Sequence, residues 1–438
     1  MRKIWKLVAA AMLVAAPGAA ISQAAAQPDE PVVASEALKA RSAELVTILN
    51  NRGSYAAFFA PAFVAQIPEA KFDELNSQIR ASVGAATGVK VTPLSPFTAD
   101  LQVTFERGSA AMRISVAQTP PNQVNGLRVL SVSGGEATVG AIVDSLKSLP
   151  GTTSFALAKL GPADPQLTAA HNADQPLAIG SAFKLVILAE LVRATNAGER
   201  RWTDMVVLDA QPLPGGLYTK LPLGTKVTLE ELAGKMISVS DNSATDILLR
   251  HLGREKVEAM LPIVGIARPS GMRPFMTTLD AFKLKGIGTG ELAARYLALD
   301  ESGRRKMLAG EIAAQPLTAI NPQLFRDGKP VMVDQLEWFA SASDLVRLMD
   351  WLRRNSEANA VTRTILSFNP GIGPAAENWR YVGYKGGSEP GVINMTMLLQ
   401  AKDGSWYALA GTWNNPAAAV DEVRFATLLS RAAELSAP

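Results

Sequence analysis

Serine and lysine are the residues of this 438-residue sequence that could carry covalent chemistry, because it has no Cys and only two His, His171 and His251. The missing cysteines exclude thiolate nucleophiles, disulfides and cysteine-based metal or lipid sites, and two histidines are too few for a multi-histidine metal centre. Ser181 and Lys184 stand three residues apart in Ser-Ala-Phe-Lys, and the spacing Ser-x-x-Lys occurs once in the chain. On a helix these two side chains share one face, where they could act as nucleophile and base.

The segment after Ser181 indicates which element positions it. Leu185 to Val192 is apolar on nearly every face, which is typical of a buried central helix with Ser181 at its N-terminus. A helix N-terminus stabilises developing negative charge, and a desolvated lysine shifts toward the neutral amine that accepts a serine proton. The alternative is a capping serine and a lysine that reaches solvent, and on this motif alone that structural interpretation is the stronger one.

Two later motifs could add polar groups to the same site. Ser240-Asp241-Asn242 follows a helix that opens with a capping box at Thr228 to Glu231, and it can present a hydroxyl and an amide to a cleft. Lys385-Gly386-Gly387-Ser388 ends a predicted strand, where glycine permits close backbone approach and the lysine adds a second cation. Taken singly, a cap between helices and an exposed lysine at a strand end are the simpler interpretations.

Taken together and in this order, the three motifs resemble the signature of class A β-lactamases and penicillin-binding proteins. The interval from Ser181 to Ser240 is similar to the class A interval, whereas the interval from Ser240 to Lys385 is longer. The resemblance covers residues 137–438. It implies an α/β (α+β) fold of the β-lactamase/transpeptidase type, in which helices flank an antiparallel sheet and a helical subdomain is added.

The resemblance also implies catalytic roles for four side chains. Ser181 would be the acylated nucleophile and Lys184 its proton acceptor. Ser240 would relay a proton to the leaving group, and Lys385 would hold the substrate carboxylate. The implied substrate is a small molecule, a β-lactam, an ester or a peptide amide, and no metal or organic cofactor is implied.

The resemblance also implies that four residues bind the substrate: Asn242, Gly386, Gly387 and Ser388. Asn242 would hold the substrate amide. The backbone N–H groups of Ser181 and Ser388 would form the oxyanion hole, which typically contributes a few kcal/mol to lowering the barrier.

Two departures from class A bear on the expected activity. Class A enzymes carry a Glu-x-x-Leu-Asn loop whose glutamate activates the deacylating water, and the sequence between Gly253 and Glu291 contains no such pattern. Glu255, Glu258 and Asp280 are the carboxylates there. Gly386 also stands where the family has threonine. Without a positioned base, we expect the rate of acyl-enzyme hydrolysis to be about 10²–10⁴-fold lower than with one.

The N-terminal residues are typical of a secretory signal peptide. Arg2, Lys3 and Lys6 precede an apolar run that ends in alanines at 24–26, so residues 1–26 are expected to be removed and the protein to be periplasmic or secreted. Cleavage takes three of the 43 basic residues and none of the 40 acidic ones, which leaves no net charge. A nucleic-acid partner is therefore not expected. Stable membrane insertion is not expected either, because no later segment has the length and apolarity of a transmembrane helix.

Residues 30–134 are predicted to form a small α+β domain. Leucines at helical spacing precede an antiparallel hairpin, Leu101–Phe105 with Met112–Val116, which turns at Arg107-Gly108. A further strand is expected at Leu127–Val132, and Ser131–Gly135 is the best candidate for a linker.

Residues 137–438 are predicted to form the β-lactamase-like serine hydrolase domain. A helix from Thr138 to Leu149 and two short strands open it, a hairpin around Asp403-Gly404 follows a helical middle, and a helix from Val420 to Leu435 closes it. Strands from both ends with helices between them indicate one sheet that is discontinuous in sequence.

This layout is similar to that of the two-domain protein of the clavulanic acid biosynthetic cluster. The resemblance implies a steroid-isomerase-like or cystatin-like N-terminal domain and weak esterase activity. Two alternatives stay open: a penicillin-binding-protein-like D,D-peptidase, and a non-catalytic ligand-binding protein. The sequence leaves the oligomeric state open.

Overall fold

The structure, a computed structural model, describes residues 33–356 and 360–438. The predicted signal peptide, residues 1–26, lies outside the described residues. Contacts between residues divide the chain into two units. The first contains the residues up to Ala137 together with Ile372–Pro374 and Ala426–Arg431, and the second contains the rest. Each unit has a hydrophobic core of its own.

The N-terminal unit combines helices with an antiparallel sheet, because an early stretch with helical spacing gives way to residues that alternate between buried and exposed positions. In chain order its elements are α1 (Glu36–Leu49), α2 (Tyr55–Phe58), α3 (Pro61–Gln66), α4 (Glu69–Val83), β1 (Ala86–Ser95), β2 (Thr98–Phe105), β3 (Gly108–Val116) and β4 (Val124–Gly134).

The four strands pair in the order β1-β2-β3-β4, each antiparallel to the next. The predicted hairpin is β2 with β3, and the alternating side chains Leu101, Val103 and Phe105 are buried as expected. Phe105 lies opposite Gly108, so Glu106 and Arg107 form the turn, one residue earlier than predicted. The hairpin prediction is confirmed with this small shift.

The predicted linker is wrong in its position. Residues 131–134 form the end of β4, where Gly134 lies opposite Gly108 of β3. A strand end rich in serine and glycine has the composition of a linker, so composition alone could not separate the two. β1 was not predicted, because as an edge strand it buries few residues and its alternation is limited to Val89 and Val91 before Pro93.

The strands of the C-terminal unit come from both ends of its sequence. In chain order they are β5 (Thr152–Leu160), β6 (Gln166–His171), β7 (Leu177–Ala178), β8 (Met205–Val207), β9 (Lys226–Thr228), β10 (Phe339–Ala340), β11 (Tyr381–Glu389), β12 (Val392–Gln400) and β13 (Trp406–Asn414).

The main sheet has five antiparallel strands in the order β11-β12-β13-β5-β6. The predicted hairpin around Asp403-Gly404 is β12 with β13, and β5 joins β13 from the other end of the sequence. The expectation of one sheet that is discontinuous in sequence is therefore confirmed. Two small pairs, β7 with β10 and β8 with β9, complete the pairing of these strands.

Several helices begin at a side-chain cap. Thr228 accepts a hydrogen bond from Glu231 N (3.1 Å) at the start of the helix after β9. The helices are α5 (Val139–Lys147), α6 (Lys184–Asn196), α7 (Leu229–Ser238), α8 (Asn242–Leu252), α9 (Arg254–Ile263), α10 (Thr278–Gly286), α11 (Glu291–Leu297), α12 (Glu301–Met307), α13 (Ala342–Asn355), α14 (Ala360–Ser367) and α15 (Glu422–Ser436).

α6 is the central helix that the apolar run predicts. Ten of its 13 residues are buried. The antiparallel sheet with flanking helices confirms the predicted fold class. Within the described ranges, no helix has both the length and the apolar character needed to cross a bilayer. Those ranges also contain no group of three or more His, Asp or Glu that could hold a metal ion.

Candidate active site

Ser181 lies in a single 3-10 turn, Gly180–Phe183, that continues directly into α6. The turn is held by Trp338, whose carbonyl accepts a hydrogen bond from Ile179 N (3.0 Å) and whose ring stacks on Phe183 at 3.8 Å between centroids. The Ser181 side chain is half-buried, and its hydroxyl has no hydrogen-bond partner in the part of the chain that the structure describes. A serine on a rigid turn with an unengaged hydroxyl suits a nucleophile.

The backbone of the Ser181 turn runs against the end of β11. A Cβ atom added to Gly387 would overlap Ile179 O and Ser181 N, and one added to Gly180 would lie 3.2 Å from Ser388 N. Only glycine permits this approach. It brings the segments that carry the Ser181 and Ser388 N–H groups together, as an oxyanion hole requires.

Lys184 is completely buried at the start of α6. Its Nζ donates to Ser240 O (2.8 Å), to Ser240 Oγ (3.0 Å) and to Asn242 Oδ1 (2.7 Å). Burial lowers the pKa of Lys184 to about 7, although the negative charges of Asp246 and Asp241 act in the opposite direction. A lysine with this pKa can give up its proton near neutral pH and then accept one from a hydroxyl.

Ser240 lies between two lysines. Its Oγ accepts a hydrogen bond from Lys184 and another from Lys385, each at 3.0 Å. A hydroxyl oxygen has two lone pairs, so with both occupied its own O–H points elsewhere as a donor. The Ser240 backbone has a φ of +56°, a left-handed conformation that is uncommon outside glycine.

Asp241 holds the turn that presents Ser240 and Asn242. Its carboxylate caps α8 by accepting from Ala244 N (2.8 Å), and it also accepts from Leu217 N (2.7 Å). The middle residue of the Ser-Asp-Asn motif is therefore structural, and the residues on either side of it provide the polar groups of the site.

Lys385 is buried on β11 and donates to Ser240 Oγ and to Gly386 O (2.5 Å). Burial lowers the pKa of Lys385 well below its ordinary value, and the nearby charge of Lys184 lowers it further. Two neighbouring lysines in one buried site lose a proton more easily than isolated lysines do.

Gly386 takes the place of the family's threonine because other atoms fill the space. A Cβ atom at this position would overlap the Tyr384 hydroxyl and lie 2.7 Å from Asn394 O. Tyr384 and Gly386 are two residues apart on β11 and therefore face the same side of the sheet. The missing threonine is thus explained by Tyr384.

Ser388 is exposed at the end of β11, and its side chain interacts with the carboxylate of Glu422, the first residue of α15. Burial raises the pKa of Glu422 to about 7, and the Ser388 hydrogen bond opposes that rise. Glu422 was not predicted as a site residue, because nothing in its local sequence distinguishes it from a helix-capping acid.

The sequence model of the beta-lactamase enzyme family matches residues 138–434. The chain belongs to the beta-lactamase enzyme family. This match confirms the expected superfamily of serine β-lactamases and penicillin-binding proteins.

Several solved structures are similar to this chain, each over 68% of the chain's length. The beta-lactamase of Sphaerobacter thermophilus DSM 20745 is 22% identical over 95% of its own chain, with a TM-score of 0.46. The beta-lactamase of Chitinophaga pinensis DSM 2588 is 16% identical over 96%, with a TM-score of 0.44, and PBP-A is 16% identical over 93%, also at 0.44. No curated protein matches the sequence.

Class A members of the family have a water-activating glutamate in the segment after α8. In this chain the carboxylates of that segment form other interactions. Glu258 accepts from Phe275 N (2.7 Å) and pairs with Arg305. Asp280 caps α10 and pairs with Arg254 (2.9 Å). Glu255 is exposed on α9. The structure therefore gives two of these three carboxylates a structural role.

Asp246 is a buried carboxylate that sequence reasoning missed. It accepts from Thr278 N (2.7 Å) and Leu279 N (3.0 Å) at the start of α10. Burial raises its pKa to about 6, and its charge in turn raises the pKa of Lys184. Asp246 lies four residues after Asn242 on one face of α8, a spacing that could have drawn attention to it.

Proposed function

We propose that the protein is an exported serine hydrolase of the class A type that forms an acyl-enzyme on Ser181 with a β-lactam, ester or amide. The observation that carries the proposal is Ser240, whose hydroxyl lies 3.0 Å from both Lys184 and Lys385 while Ser181 rests against β11. These contacts support a site in which Ser181 is the nucleophile, Lys184 the base and Ser240 the proton relay, although in the described part of the chain no hydrogen bond joins Ser181 to either of the other two residues.

In the first step, neutral Lys184 accepts the Ser181 proton as Oγ attacks the substrate carbonyl. The pKa of about 7 makes the neutral amine available near neutral pH. The oxyanion that develops is stabilised by the N–H groups of Ser181 and Ser388, each of which is worth about 3 kcal/mol in comparable sites.

In the second step, Ser240 gives its proton to the leaving group and is reprotonated by one of the lysines that donate to it. Asn242 uses Oδ1 to accept from Lys184, which leaves its Nδ2 donors for a substrate amide. Lys385 can donate to a substrate carboxylate, whose negative charge would raise the pKa that burial lowers.

Hydrolysis of the acyl-enzyme is the slow step in this proposal. We infer this because Glu258 and Asp280 already bind backbone N–H groups and arginines. The same observation favours a second candidate, a D,D-peptidase that passes its acyl group to an amine. Release of D-Ala from a D-Ala-D-Ala peptide would select this candidate.

A time course with a chromogenic cephalosporin and a 4-nitrophenyl ester tests the proposal. We expect a burst of product equal to the enzyme concentration, followed by slow turnover. Ser181→Ala should abolish both phases, whereas Ser302→Ala, a change at an exposed serine of α12, should leave them unchanged. Equal rates for Ser181→Ala and the unmodified protein would refute it.

Export is the remaining part of the proposal. It is supported by residues 1–26, in which basic residues are followed by an apolar run and then by alanines. N-terminal sequencing of the protein from the extracytoplasmic fraction should begin near residue 27. An intact Met1 on protein recovered from the cytoplasm would contradict it.

A further inference from the structure

A buried ion-pair cluster joins three segments of the C-terminal unit. Lys285, in the last turn of α10, contacts Glu337, which lies just before β10, and Glu389, the last residue of β11. The Lys285 Nζ lies 2.6 Å from Glu389 Oε1, and the side chains of Lys285 and Glu337 are almost completely buried. The proposed acylation steps assign no task to these three side chains.

Glu337 directly precedes the residue that holds the turn of Ser181. That residue, Trp338, accepts a hydrogen bond from Ile179 N (3.0 Å) through its carbonyl, and its ring stacks on Phe183 at 3.8 Å between centroids. Neighbouring residues of a chain are joined at a fixed distance. The ion pair that holds Glu337 therefore also restrains Trp338, and through it the turn that carries the Ser181 N–H group.

Glu389 directly follows Ser388, which is expected to supply the second oxyanion N–H group. It pairs with Val392 of β12 at the point where the chain turns back. Gly387, which leaves room for the Ser181 turn, is two residues earlier on the strand and therefore faces the same side of the sheet as Glu389. The ion pair at Glu389 thus restrains the end of β11 on the side that meets the Ser181 turn.

Lys285 belongs to a helix that is anchored at its other end. The first turn of α10 donates to the buried carboxylate of Asp246 through Thr278 N (2.7 Å) and Leu279 N (3.0 Å). Asp246 in turn lies on α8, the helix that begins with Asn242. The lysine therefore connects the two glutamates to the helix that follows the Ser-Asp-Asn motif.

The charges of the cluster hold its members together. Burial acts to lower the pKa of Lys285, but the carboxylates of Glu337 and Glu389 raise it above its ordinary value. Burial and the negative charge of Glu337 raise the pKa of Glu389, against the opposing effect of Lys285. Without the lysine, two buried carboxyl groups would face each other with no cation between them, which is strongly unfavourable.

We propose that Lys285 is a positioning residue of the oxyanion site. By binding Glu337 and Glu389 together, it holds the Ser181 turn and the end of β11 at the spacing that their two N–H groups need. This inference rests on the proposed acylation of Ser181, and Lys285 acts in it through the two glutamates without touching the substrate. An oxyanion site stabilises the transition state, so a shift of either segment should slow acylation without weakening substrate binding.

The acylation rate, measured at increasing concentrations of a 4-nitrophenyl ester, tests the proposal. In Lys285→Met we expect the limiting rate to fall by about tenfold to 10²-fold, the usual effect of misplacing groups that act in the transition state, and the half-saturating concentration to stay unchanged. An unchanged limiting rate in Lys285→Met would overturn the proposal, and so would a loss confined to the half-saturating concentration.

Lys283→Met is the matched control. Lys283 is a second buried lysine of α10, but its Nζ donates to the carbonyls of Ile312 and Ala313 (3.0 Å each), which lie away from both oxyanion segments in sequence. This variant also loses buried hydrogen bonds, so it should lose stability while it keeps the limiting rate of the unmodified protein. An equal loss of rate in Lys283→Met and Lys285→Met would overturn a specific role for Lys285.

Two variants of Glu389 separate positioning from a general loss of stability, and they replace Lys285→Met if that variant fails to fold by circular dichroism. Glu389→Gln keeps an oxygen that accepts from Lys285 and leaves Glu337 as the counter-charge, so it should retain most of the limiting rate. Glu389→Leu has no acceptor and should lose rate as Lys285→Met does. Equal limiting rates in the two variants would contradict the proposal.

Amide hydrogen exchange followed by mass spectrometry gives a readout that does not need acylation. The peptides that contain Ser181 and Ser388 should exchange faster in Lys285→Met than in Lys283→Met, because the two segments lose their common restraint. If the unmodified protein is not acylated, the proposed function fails, and exchange still tests whether Lys285 positions these segments. Unchanged exchange of both peptides in Lys285→Met would overturn that role.

Discussion

The Lys385 amine and the Ser240 hydroxyl are 145 residues apart in the sequence and 3.0 Å apart in the structure. Lys184 approaches the same hydroxyl at an equal distance. Ser240 therefore receives two hydrogen bonds from two buried lysines, an arrangement that neither the helix α6 nor the strand β11 could create alone. One polar centre results, in which hydrogen bonds link residues of all three motifs.

Removing the Ser240 hydroxyl should slow acylation by about 10²-fold or more, because the leaving group loses its proton donor. Ser240→Ala and Ser240→Gly should lose activity to the same extent. Glycine accommodates the φ of +56° without strain, so Ser240→Gly should unfold at the higher temperature of the two. Burst kinetics and thermal melts check this, and a fully active Ser240→Gly would contradict the relay.

The acylation rate should rise with pH through about 7 and then level off, because the reaction needs the neutral form of Lys184. Asp246 raises the pKa of Lys184, so Asp246→Asn should move the midpoint to lower pH. Acylation rates measured from pH 5 to 9 test both statements. A rate that falls across this range, or a midpoint that moves upward in Asp246→Asn, would exclude Lys184 as the base.

The pH dependence of the free energy of unfolding should also reflect the titration of Lys184. Burial places the pKa of Lys184 near 7 in the folded chain, below the ordinary value of 10.5 that applies when the chain is unfolded. The unfolded state therefore binds more protons between about pH 7 and 10.5, and stability gains a contribution that grows as pH rises through this window. Lys184→Met should lose this contribution, so its free energy of unfolding should vary less with pH. Urea unfolding at pH 7 and 9 measures the difference, and identical pH dependence would contradict it.

Gly387 should be irreplaceable where the turn of Ser181 meets β11. A Cβ atom there overlaps Ser181 N and Ile179 O, so Gly387→Ala should separate the two segments and reduce acylation by about 10²-fold, the effect of losing an oxyanion donor. Gly161→Ala is the control, since a Cβ atom added to Gly161 would have no other atom within 4 Å. Unchanged acylation in Gly387→Ala would mean that this contact does not form the oxyanion site.

Restoring the family's threonine at Gly386 should destabilise the chain by about 1–3 kcal/mol through overpacking against Tyr384 and Asn394. Adding Tyr384→Ala should recover part of that loss, because the phenol occupies the space that the threonine needs. Urea unfolding of both variants gives the comparison. A stable Gly386→Thr single variant would show that Tyr384 does not determine the residue at this position.

The sequence predicts the parts of this protein that depend on local pattern. The apolar run after Lys184 predicts α6, and the alternation around Asp403-Gly404 predicts the β12–β13 hairpin. The order of the three motifs led to the expectation that Ser181, Ser240 and Lys385 meet, although local periodicity says nothing about distances between such remote residues.

What could not be predicted depends on contacts between distant segments. The stacking of Trp338 on Phe183 and the interaction of Glu422 with Ser388 each join residues far apart in the chain, and their local sequences have no distinctive pattern. The misplaced linker at residues 131–134 has a different cause, because a strand end rich in serine and glycine has the composition of a loop.

The most direct test of the central claim is peptide mass spectrometry of the protein after brief treatment with penicillin or an activated ester. The account predicts one adduct, carried by the peptide that contains Ser181, and a much slower appearance of that adduct in Lys184→Met. An adduct on another residue, or equal labelling of Ser181→Ala, would contradict it.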